Sequence, residues 1–370
     1  MKLNKAIPWW KPQIGPQEKK FINQVLANHF PNEGKFTELF EQKISNLLHC
    51  KYVVTVTSGT AAIYLALKAI GIRNGDEVIV PNITFIATAN AVEMCGAKPV
   101  LVDIDPKTMN IDPQAFSKSI TKKTKAVIVV HVSGRAAAMK EILLIAKKNN
   151  VDVIEDAAEA FMSKHKEKYL GTFGQVGCFS FSAHKTITTG QGGVIITNNK
   201  KIYQRLKELK DQGRPHRGTG GDDKHNVIGY NFKFTDLQAA VGLGQLSYLA
   251  SRLKRMKRTH QLYRRHLINI DEFSLFDFDI AGGEVPQWTD AIVKERDQLD
   301  IFLKSKGIFC RKYWFPIHTQ IPYRLSGKNL YQSTRLSSEA LWLPSAFTMT
   351  DNDVLIVCNA IKKFFKKNDR

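Results

Sequence analysis

Between about residues 50 and 200, short apolar, β-branched runs alternate with longer stretches of helical period. The runs 53–56, 77–80, 99–102, 126–132, 151–155, 177–182 and 193–197 predict strands. Between several of them, 61–70, 86–94 and 136–148 predict helices. Alternation of this kind predicts an α/β domain on a largely parallel sheet. In such sheets ligands sit outside the carboxyl ends of the strands. The pattern changes after Asn198. Residues 213–223, rich in Gly with Pro and Asp, read as a loop. From Thr235 a long helix is predicted. Leu246, Leu249, Leu253, Met256 and Tyr263 keep one apolar stripe on it. A strand is expected at 291–293 and a helix at 296–306. The last helix should open at Thr350-Asp-Asn-Asp353, a capping-box-like start. The expected division is a large unit, 1–250, including an N-terminal arm, and a smaller C-terminal α+β unit, 251–370. No repeat or low-complexity tract interrupts it.

A chain of 370 residues with 43% hydrophobic and 24% charged content is ordinary for a globular protein with a sizeable core. The cysteines at 50, 95, 178, 310 and 358 are scattered and form no CxxC pair. Neither a disulfide framework nor a metal site is therefore expected. The N-terminus lacks the apolar segment of a signal peptide, and no run reaches the roughly 18 apolar residues of a spanning helix. A reducing, cytoplasmic setting without membrane insertion is the expectation. The net charge of +20 changes the picture only modestly. A nucleic-acid binder is one reading, but no such motif is present and the basic residues are spread along the whole chain. A solvated lysine-rich surface that steers an anionic substrate is the better one. The dense stretch Arg252–Arg258 then reads as one helix face. The C-terminal Ile361-Lys-Lys-Phe-Phe-Lys-Lys367 reads as a docked amphipathic end helix.

The candidate chemistry lies at predicted strand ends. Thr57-Ser58-Gly59-Thr60-Ala61-Ala62 follows a strand and opens a helix. Such an N-terminus can hold an anion, with a phosphate as the natural guest. By itself the segment reads equally as an ordinary N-cap. Asp156 ends a strand, where a carboxylate could face a pyridine nitrogen and favour its charged form; alone it could simply cap a helix. Glu155, on the opposite side of that strand, reads as structural. Phe85 follows another strand end and could stack on a flat ligand, or serve packing. Lys185 follows strand 177–182 and precedes the glycine-rich Thr189-Gly-Gln-Gly-Gly193. A partly desolvated lysine there would be nucleophilic and could hold an aldehyde cofactor as a Schiff base. His184 reads as packing or surface. Lysine and aspartate on one sheet edge point to pyridoxal 5'-phosphate (PLP), whose ring is an electron sink.

These segments occur in the same order in the PLP-dependent sugar aminotransferases of the DegT/DnrJ/EryC1/StrS family, which the chain resembles from end to end. The likeness runs through Ile7-Pro8, Ser58-Gly-Thr-Ala-Ala62, Pro81-Asn-Ile-Thr-Phe-Ile-Ala-Thr-Ala-Asn90 and Asp103-Ile-Asp-Pro106. It continues through Glu155-Asp-Ala-Ala158, Ser180-Phe, Lys185-Thr-Ile-Thr-Thr-Gly190, Gly229-Tyr-Asn-Phe-Lys-Phe-Thr-Asp236 and Phe315-Pro-Ile-His318. The resemblance implies the fold type I, aspartate-aminotransferase-like architecture and a homodimer with shared active sites. On matching positions, Lys185 would be the Schiff-base lysine and Asp156 the pyridinium partner, with Phe85 stacked on the ring. Ser58, Gly59, Thr60 and Ser180 would hold the phosphate, and Asn231 would reach the phosphate of the partner subunit's cofactor. His318 would lie near the sugar, or be a loop histidine satisfied by backbone.

A dehydratase branch carries histidine where this chain has Lys185, so lysine implies amino transfer. Glu159 resembles the perosamine-synthase-like branch. If it meets the cofactor's ring hydroxyl, one of the two must be protonated. Gln191 replaces a common glutamate, with no evident consequence. The implied reaction takes an amino group from glutamate (or glutamine) and passes it to a nucleotide-linked 4-keto-6-deoxy sugar, with a GDP sugar leading. The setting would be amino-sugar or surface-polysaccharide biosynthesis. A keto sugar or sugar acid without a nucleotide, dehydration, a non-catalytic regulatory role and action on amino acids are the competing readings. Loops 213–226 and 311–323 are expected to carry specificity.

Overall fold

The computed structural model describes residues 6–215, 223–324 and 330–368. The remainder of the loop expected to carry specificity, 216–222, and the short stretch 325–329 lie outside the described residues. Strands β1 (Tyr52–Val56), β2 (Glu77–Pro81), β3 (Lys98–Val102), β4 (Thr124–Val130) and β5 (Asp152–Asp156) are followed by the two-residue strands β6 (Lys164–His165) and β7 (Lys168–Tyr169). Then come β8 (Val176–Ser180), β9 (Gly193–Thr197), β10 (Phe273–Leu275), β11 (Asp290–Val293), β12 (Arg311–Lys312) and β13 (Ala340–Trp342). The helices are α1 (Pro16–Ala27), α2 (Lys35–Leu48), α3 (Gly59–Ala69), α4 (Ala87–Met94), α5 (Pro113–Lys118) and α6 (Met139–Asn149). They continue with α7 (Lys200–Lys210), α8 (Asp236–Leu246), α9 (Leu249–His266), α10 (Arg296–Ser305), α11 (Tyr331–Glu339) and α12 (Asp351–Asn368).

All the strands expected before residue 200 join one seven-stranded sheet of order β1-β9-β8-β5-β4-β2-β3. Its pairings are parallel except those of β9, which runs against both β1 and β8. The sheet is mixed rather than uniformly parallel because no crossover helix separates β8 from β9. The chain returns through the loop that carries Lys185. Val54, Val56, Val78 and Val80 face α3 and α4, while Val53, Phe179, Val194 and Ile196 face α2 and α8. A sheet covered on both faces accounts for strands that read as apolar runs.

The second sheet, of order β10-β11-β13-β12, is four-stranded and built wholly from the C-terminal part. Its core takes α9, α10 and α12, with Val354, Val357, Cys358, Ile361, Phe364 and Phe365 buried. Thr350 and Asp353 exchange capping hydrogen bonds at 2.8 and 3.1 Å, as the sequence predicts for the start of α12. The N-terminal arm, expected with the large unit, crosses to this core. Ile7 N–H donates to Gly307 O, Phe309 N–H donates to Ile7 O, and the Ile7 side chain is buried there.

Three expectations change. The long helix from Thr235 is two helices, interrupted by a turn at Ser247–Tyr248. Close packing of α1 fixes the first of them. A Cβ added at Gly244 would lie 2.6 Å from Glu18 N, so only glycine lets the backbones approach this closely. Arg252, read as part of a solvated face, is buried: its guanidinium donates to Thr186 O, Gln13 O and the Gln245 side chain. The 126–132 strand stops at Val130, because Val132–Gly134 turns sharply with Ser133 at φ 55° and Gly134 at φ 94°. Part of the Gly229–Asp236 motif is structural. Thr235 caps α8, and the Asp236 carboxylate accepts N–H groups of Gly34, Phe36 and Thr37 at the start of α2. Among the described residues no helix is long and apolar enough to cross a membrane.

Candidate active site

The carboxyl ends of β1, β2, β5 and β8 open onto one cavity of about 380 Å³. From the large unit it is lined by Ser58, Gly59, Thr60, Phe85, Thr88, Asp156, Glu159, Ser180, His184, Lys185 and Gln191. Trp288, Arg311, Trp314 and Trp342 close it from the C-terminal unit. Eight of the predicted site residues thus share one wall: Ser58, Gly59, Thr60, Phe85, Asp156, Glu159, Ser180 and Lys185.

At the β1–α3 junction, Ser58 Oγ accepts the Ala61 N–H at 3.1 Å, so Ser58 is the N-cap of α3, and Gly59 and Thr60 of its first turn line the cavity. The turn packs tightly on the sheet. A Cβ at Gly59 would lie 2.8 Å from Ser180 Cβ, and one at Gly193 would lie 2.3 Å from Ser58 O. Two glycines therefore let the start of α3 reach the end of β8. Phe85 is 53% exposed beside it.

Asp156 is buried, and its carboxylate is supported on both oxygens. Thr88 Oγ1 donates to Oδ2 at 2.8 Å, and the Ala158 N–H donates to Oδ1 at 3.1 Å. Because Thr88 spends its proton on Asp156, it accepts from Thr84 at 3.0 Å. Burial raises the Asp156 pKa above the ordinary carboxylate range. The two hydrogen bonds, Lys185 and His131 pull it back in part. Glu155, on the other face, accepts N–H groups of Gly171, Phe173 and Gly174 and meets the buried His131 at 2.9 Å. It is structural, as its alternate position on the strand predicts.

Glu159 Oε2 accepts the Ser133 N–H at 2.9 Å, and its Oε1 lies 3.5 Å from Lys185 Nζ. Burial raises its pKa, while Lys185 and the Ser133 N–H lower it. The left-handed backbone at Ser133 aims that N–H inward. At Gly134 a Cβ would lie 2.1 Å from Val285 O, so the turn requires glycine. The Lys185 side chain is 14% exposed, and its Nζ lies 5.0 Å from the Trp288 ring centre. Gln287 grips both neighbours of the lysine: its Oε1 accepts from Thr186 Oγ1 at 2.5 Å, and its Nε2 donates to His184 O at 3.2 Å.

Two predicted residues lie elsewhere. Asn231 lines a separate cavity of about 500 Å³ with Glu33, Asp211, Arg214 and Lys233. His318 is latched to the loop after β2. Its N–H donates to Asn82 Oδ1 at 3.0 Å, and its Nδ1 accepts from Asn82 Nδ2 at 2.8 Å. His184, left open by the sequence, lines the cavity with its ring 5.6 Å from that of Trp9. Burial, then Arg311 and Lys185, lower its pKa. Gln191 lines it too, while its carbonyl accepts from Thr189 Oγ1 and Gln238 Nε2.

The principal omission of the sequence reading is the tryptophans. All 5 in the chain gather in one cluster: Trp9 and Trp10 from the arm pack with Trp288, Trp314 and Trp342 from the C-terminal unit, and the last three line the cavity. Their only common signal is composition, because no spacing relates positions 9 and 342. Arg311 was likewise named only within a loop.

The matching family model is that of the DegT/DnrJ/EryC1/StrS aminotransferase family, over residues 12–362. The chain is 36% identical to GDP-perosamine synthase of Escherichia coli O157:H7, covering 98% of this chain and 99% of that protein. It is 33% identical to GDP-perosamine synthase of Vibrio cholerae, over 97% and 99%. Its fold superposes on the aminotransferase TlmJ of Streptoalloteichus hindustanus with a TM-score of 0.91 at 26% identity, covering 97% of this chain and 98% of that one.

Proposed function

The chain belongs to the DegT/DnrJ/EryC1/StrS aminotransferase family, and from that premise we propose that its cavity transfers an amino group from glutamate to a GDP-linked 4-keto-6-deoxy sugar. It is a PLP-dependent sugar aminotransferase with the α/β architecture of its family. The observation that carries the reading is the placement of Lys185, with its amine between Glu159 and Trp288 in a cavity that also holds Asp156. The GDP sugar is supported by the names of the two bacterial relatives and by Glu159.

The residues suit the cofactor. A buried carboxylate whose pKa is raised by burial is stabilised by a cationic N–H brought opposite it. The α3 N-terminus with Ser58, Gly59, Thr60 and Ser180 suits a phosphate, and Phe85 offers a flat face. PLP, when bound, supplies an electron sink for the bonds at the donor's amino carbon. Lys185 would hold its aldehyde carbon and, once displaced by the donor amine, would take the proton from the donor's Cα and deliver it to the carbon it had held. Glu159 would keep that amine within reach, and the tryptophan wall would exclude water.

The test is to incubate the enzyme with L-glutamate and GDP-, UDP- and dTDP-linked keto sugars, and to identify products by mass spectrometry. An amino sugar formed fastest from the GDP substrate is expected. A nitrogen-free dehydrated product, or turnover of amino-acid pairs alone, would overturn the reading.

Asp156→Asn should separate stability from activity. The sign follows from the raised folded-state pKa. At intermediate pH the folded carboxyl binds more protons than the unfolded one, so its contribution to stability falls as pH rises. The cofactor-free variant should therefore gain in melting temperature over cofactor-free wild type as pH rises past the ordinary carboxylate range of about 4. Transamination should fall by about 10²- to 10⁴-fold. Parallel melting curves across that range would count against it.

A homodimer completes the site in this reading. Asn231, expected to reach the partner subunit's cofactor, lies outside its own chain's cavity, and Phe30, Ile228, Phe315 and Ile321 expose large apolar surfaces. Light scattering should give twice the chain mass; a monomer with full activity would refute this.

A further inference from the structure

Arg311 is set at the cavity wall by antiparallel pairing of β12 with β13, opposite Trp342. Its guanidinium carbon lies 4.8 Å from the Trp9 ring centre and 5.8 Å from that of Trp342. Among the described arginines that are not exposed, it alone makes neither a hydrogen bond nor an ion pair. Buried Arg135 has Asp290, and buried Arg252 has two carbonyls and Gln245. Arg205, Arg214, Arg255, Arg296 and Arg335 each meet a carboxylate.

The two indole faces offset only part of the desolvation of this half-buried cation, and an anion would offset the rest. Burial lowers the Arg311 pKa, as expected for a charge without a close anion. A guanidinium lying against indole faces still has its N–H edge directed outward in plane, the geometry that takes a carboxylate in two parallel hydrogen bonds. His184, on the same wall, has its pKa lowered by burial and by Arg311 and Lys185, which favours its neutral form. Glu159 is the anion that Arg311 senses, but the Glu159 carboxylate is already taken by Lys185 and the Ser133 N–H. The wall therefore presents one uncommitted planar cation to whatever occupies the space in front of Lys185.

We propose that Arg311 is the receptor for the α-carboxylate of the amino donor, holding it in plane against the Trp9–Trp342 face while Lys185 works on the neighbouring carbon. This rests on the aminotransferase reading and deepens it. The α-carboxylate is one bond from the carbon that loses its proton, so fixing it fixes the Cα–H direction. A nucleotide's phosphates also bear charge. The fork fits either group, but a nucleotide's diphosphate is joined to the sugar several bonds from its keto carbon, whereas the α-carboxylate is next to the carbon on which Lys185 works.

The experiment reads the two half-reactions separately on cofactor-loaded enzyme by stopped-flow absorbance. L-glutamate alone drives the first, and the keto sugar added to the aminated enzyme drives the second. In Arg311→Gln the apparent Kd for glutamate should rise about 30-fold or more, the loss expected for a charge-assisted pair. The keto-sugar dependence should stay within about threefold. Arg311→Lys should recover part of the loss, as a point charge without the fork. Wild type should bind the α-amide of glutamate far more weakly than glutamate, and Arg311→Gln should scarcely distinguish the two. Glutamine, which keeps the α-carboxylate and lacks only the γ-carboxylate, should show the same dependence on Arg311.

The proposal fails if the glutamate dependence is unchanged, if the defect falls on the sugar half-reaction, or if wild type binds the α-amide as well as glutamate. That last comparison needs no variant to fold. Cofactor stoichiometry and near-ultraviolet circular dichroism separate a lost receptor from a lost fold. The glutamate half-reaction remains readable if no keto sugar is accepted, so failure of the sugar assignment is distinguishable from failure of this one.

Discussion

Lys185→Ala is expected to bind PLP without covalent attachment and to lose transamination by at least about 10⁴-fold, the upper end of what a positioned proton carrier contributes. Nothing nearby replaces it. The other cations on the cavity wall are Arg311, which stays protonated, and His184, whose pKa is lowered and whose ring is set against Trp9. The lysine is also expensive to hold in place. Gln287 fixes the residues on either side, Glu159 lies 3.5 Å from its amine, and Trp288 lies beneath it. Borohydride treatment followed by intact mass measurement should show one added cofactor per wild-type chain and none on the variant. Small amines added to the variant should restore a fraction of the rate, rising with their basicity, if the missing group moves the proton. Activity within tenfold of wild type, or a covalent adduct on the variant, would remove Lys185 from its role. Lys185→His should also lose amino transfer, because an imidazole cannot make the attachment.

Asp290→Asn is expected to be the most destabilising single charge change in the molecule. Asp290 opens β11 and takes Arg135 in two parallel hydrogen bonds of 2.7 and 2.8 Å, with both side chains buried. Tyr313 donates its hydroxyl to the same carboxylate. Arg135 also donates to Thr108 O at 3.0 Å and lies between the Phe276 and Phe278 rings, 4.7 Å from each. The pair joins the turn after β4 to the second sheet, and so sets the tryptophan wall against the lysine wall. Removing one partner leaves a buried charge uncompensated, at a cost of about 3–5 kcal/mol, a large part of a typical folding free energy. Replacing both at once, as in Arg135→Met with Asp290→Leu, should recover most of that loss. Urea unfolding of the single and double variants measures this directly. A single variant within about 1 kcal/mol of wild type would show that the pair is not what joins the two units.

The division between what was legible and what was not follows the range of the interactions. The main-sheet strands were legible because burial on both faces writes them as apolar runs. Asp156, Lys185 and the Ser58–Thr60 turn were legible because each follows such a run within a few residues. The reversal of β9 was not, since a short loop between two apolar runs is compatible with either direction of return. Arg252 read as solvated because its neighbours Lys254 and Lys257 are basic. What holds it in the interior is the carbonyl oxygens of Gln13 and Thr186, both remote in sequence.

The amino-acid sequence by itself therefore determined the α/β class and the ordered set of strand-end residues that line the cavity. Those depend on local hydrophobic period and on residue types placed one turn beyond a strand. Only the tertiary structure decided which residues face that site from afar. The arm that buries Ile7 in the distant core carries Trp9 and Trp10 across. The Arg135–Asp290 pair fixes the second sheet, and pairing of β12 with β13 turns Arg311 toward the space before Lys185. These are contacts between residues up to 300 or more positions apart. No period or motif encodes them, because they arise from the packing of two cores against each other.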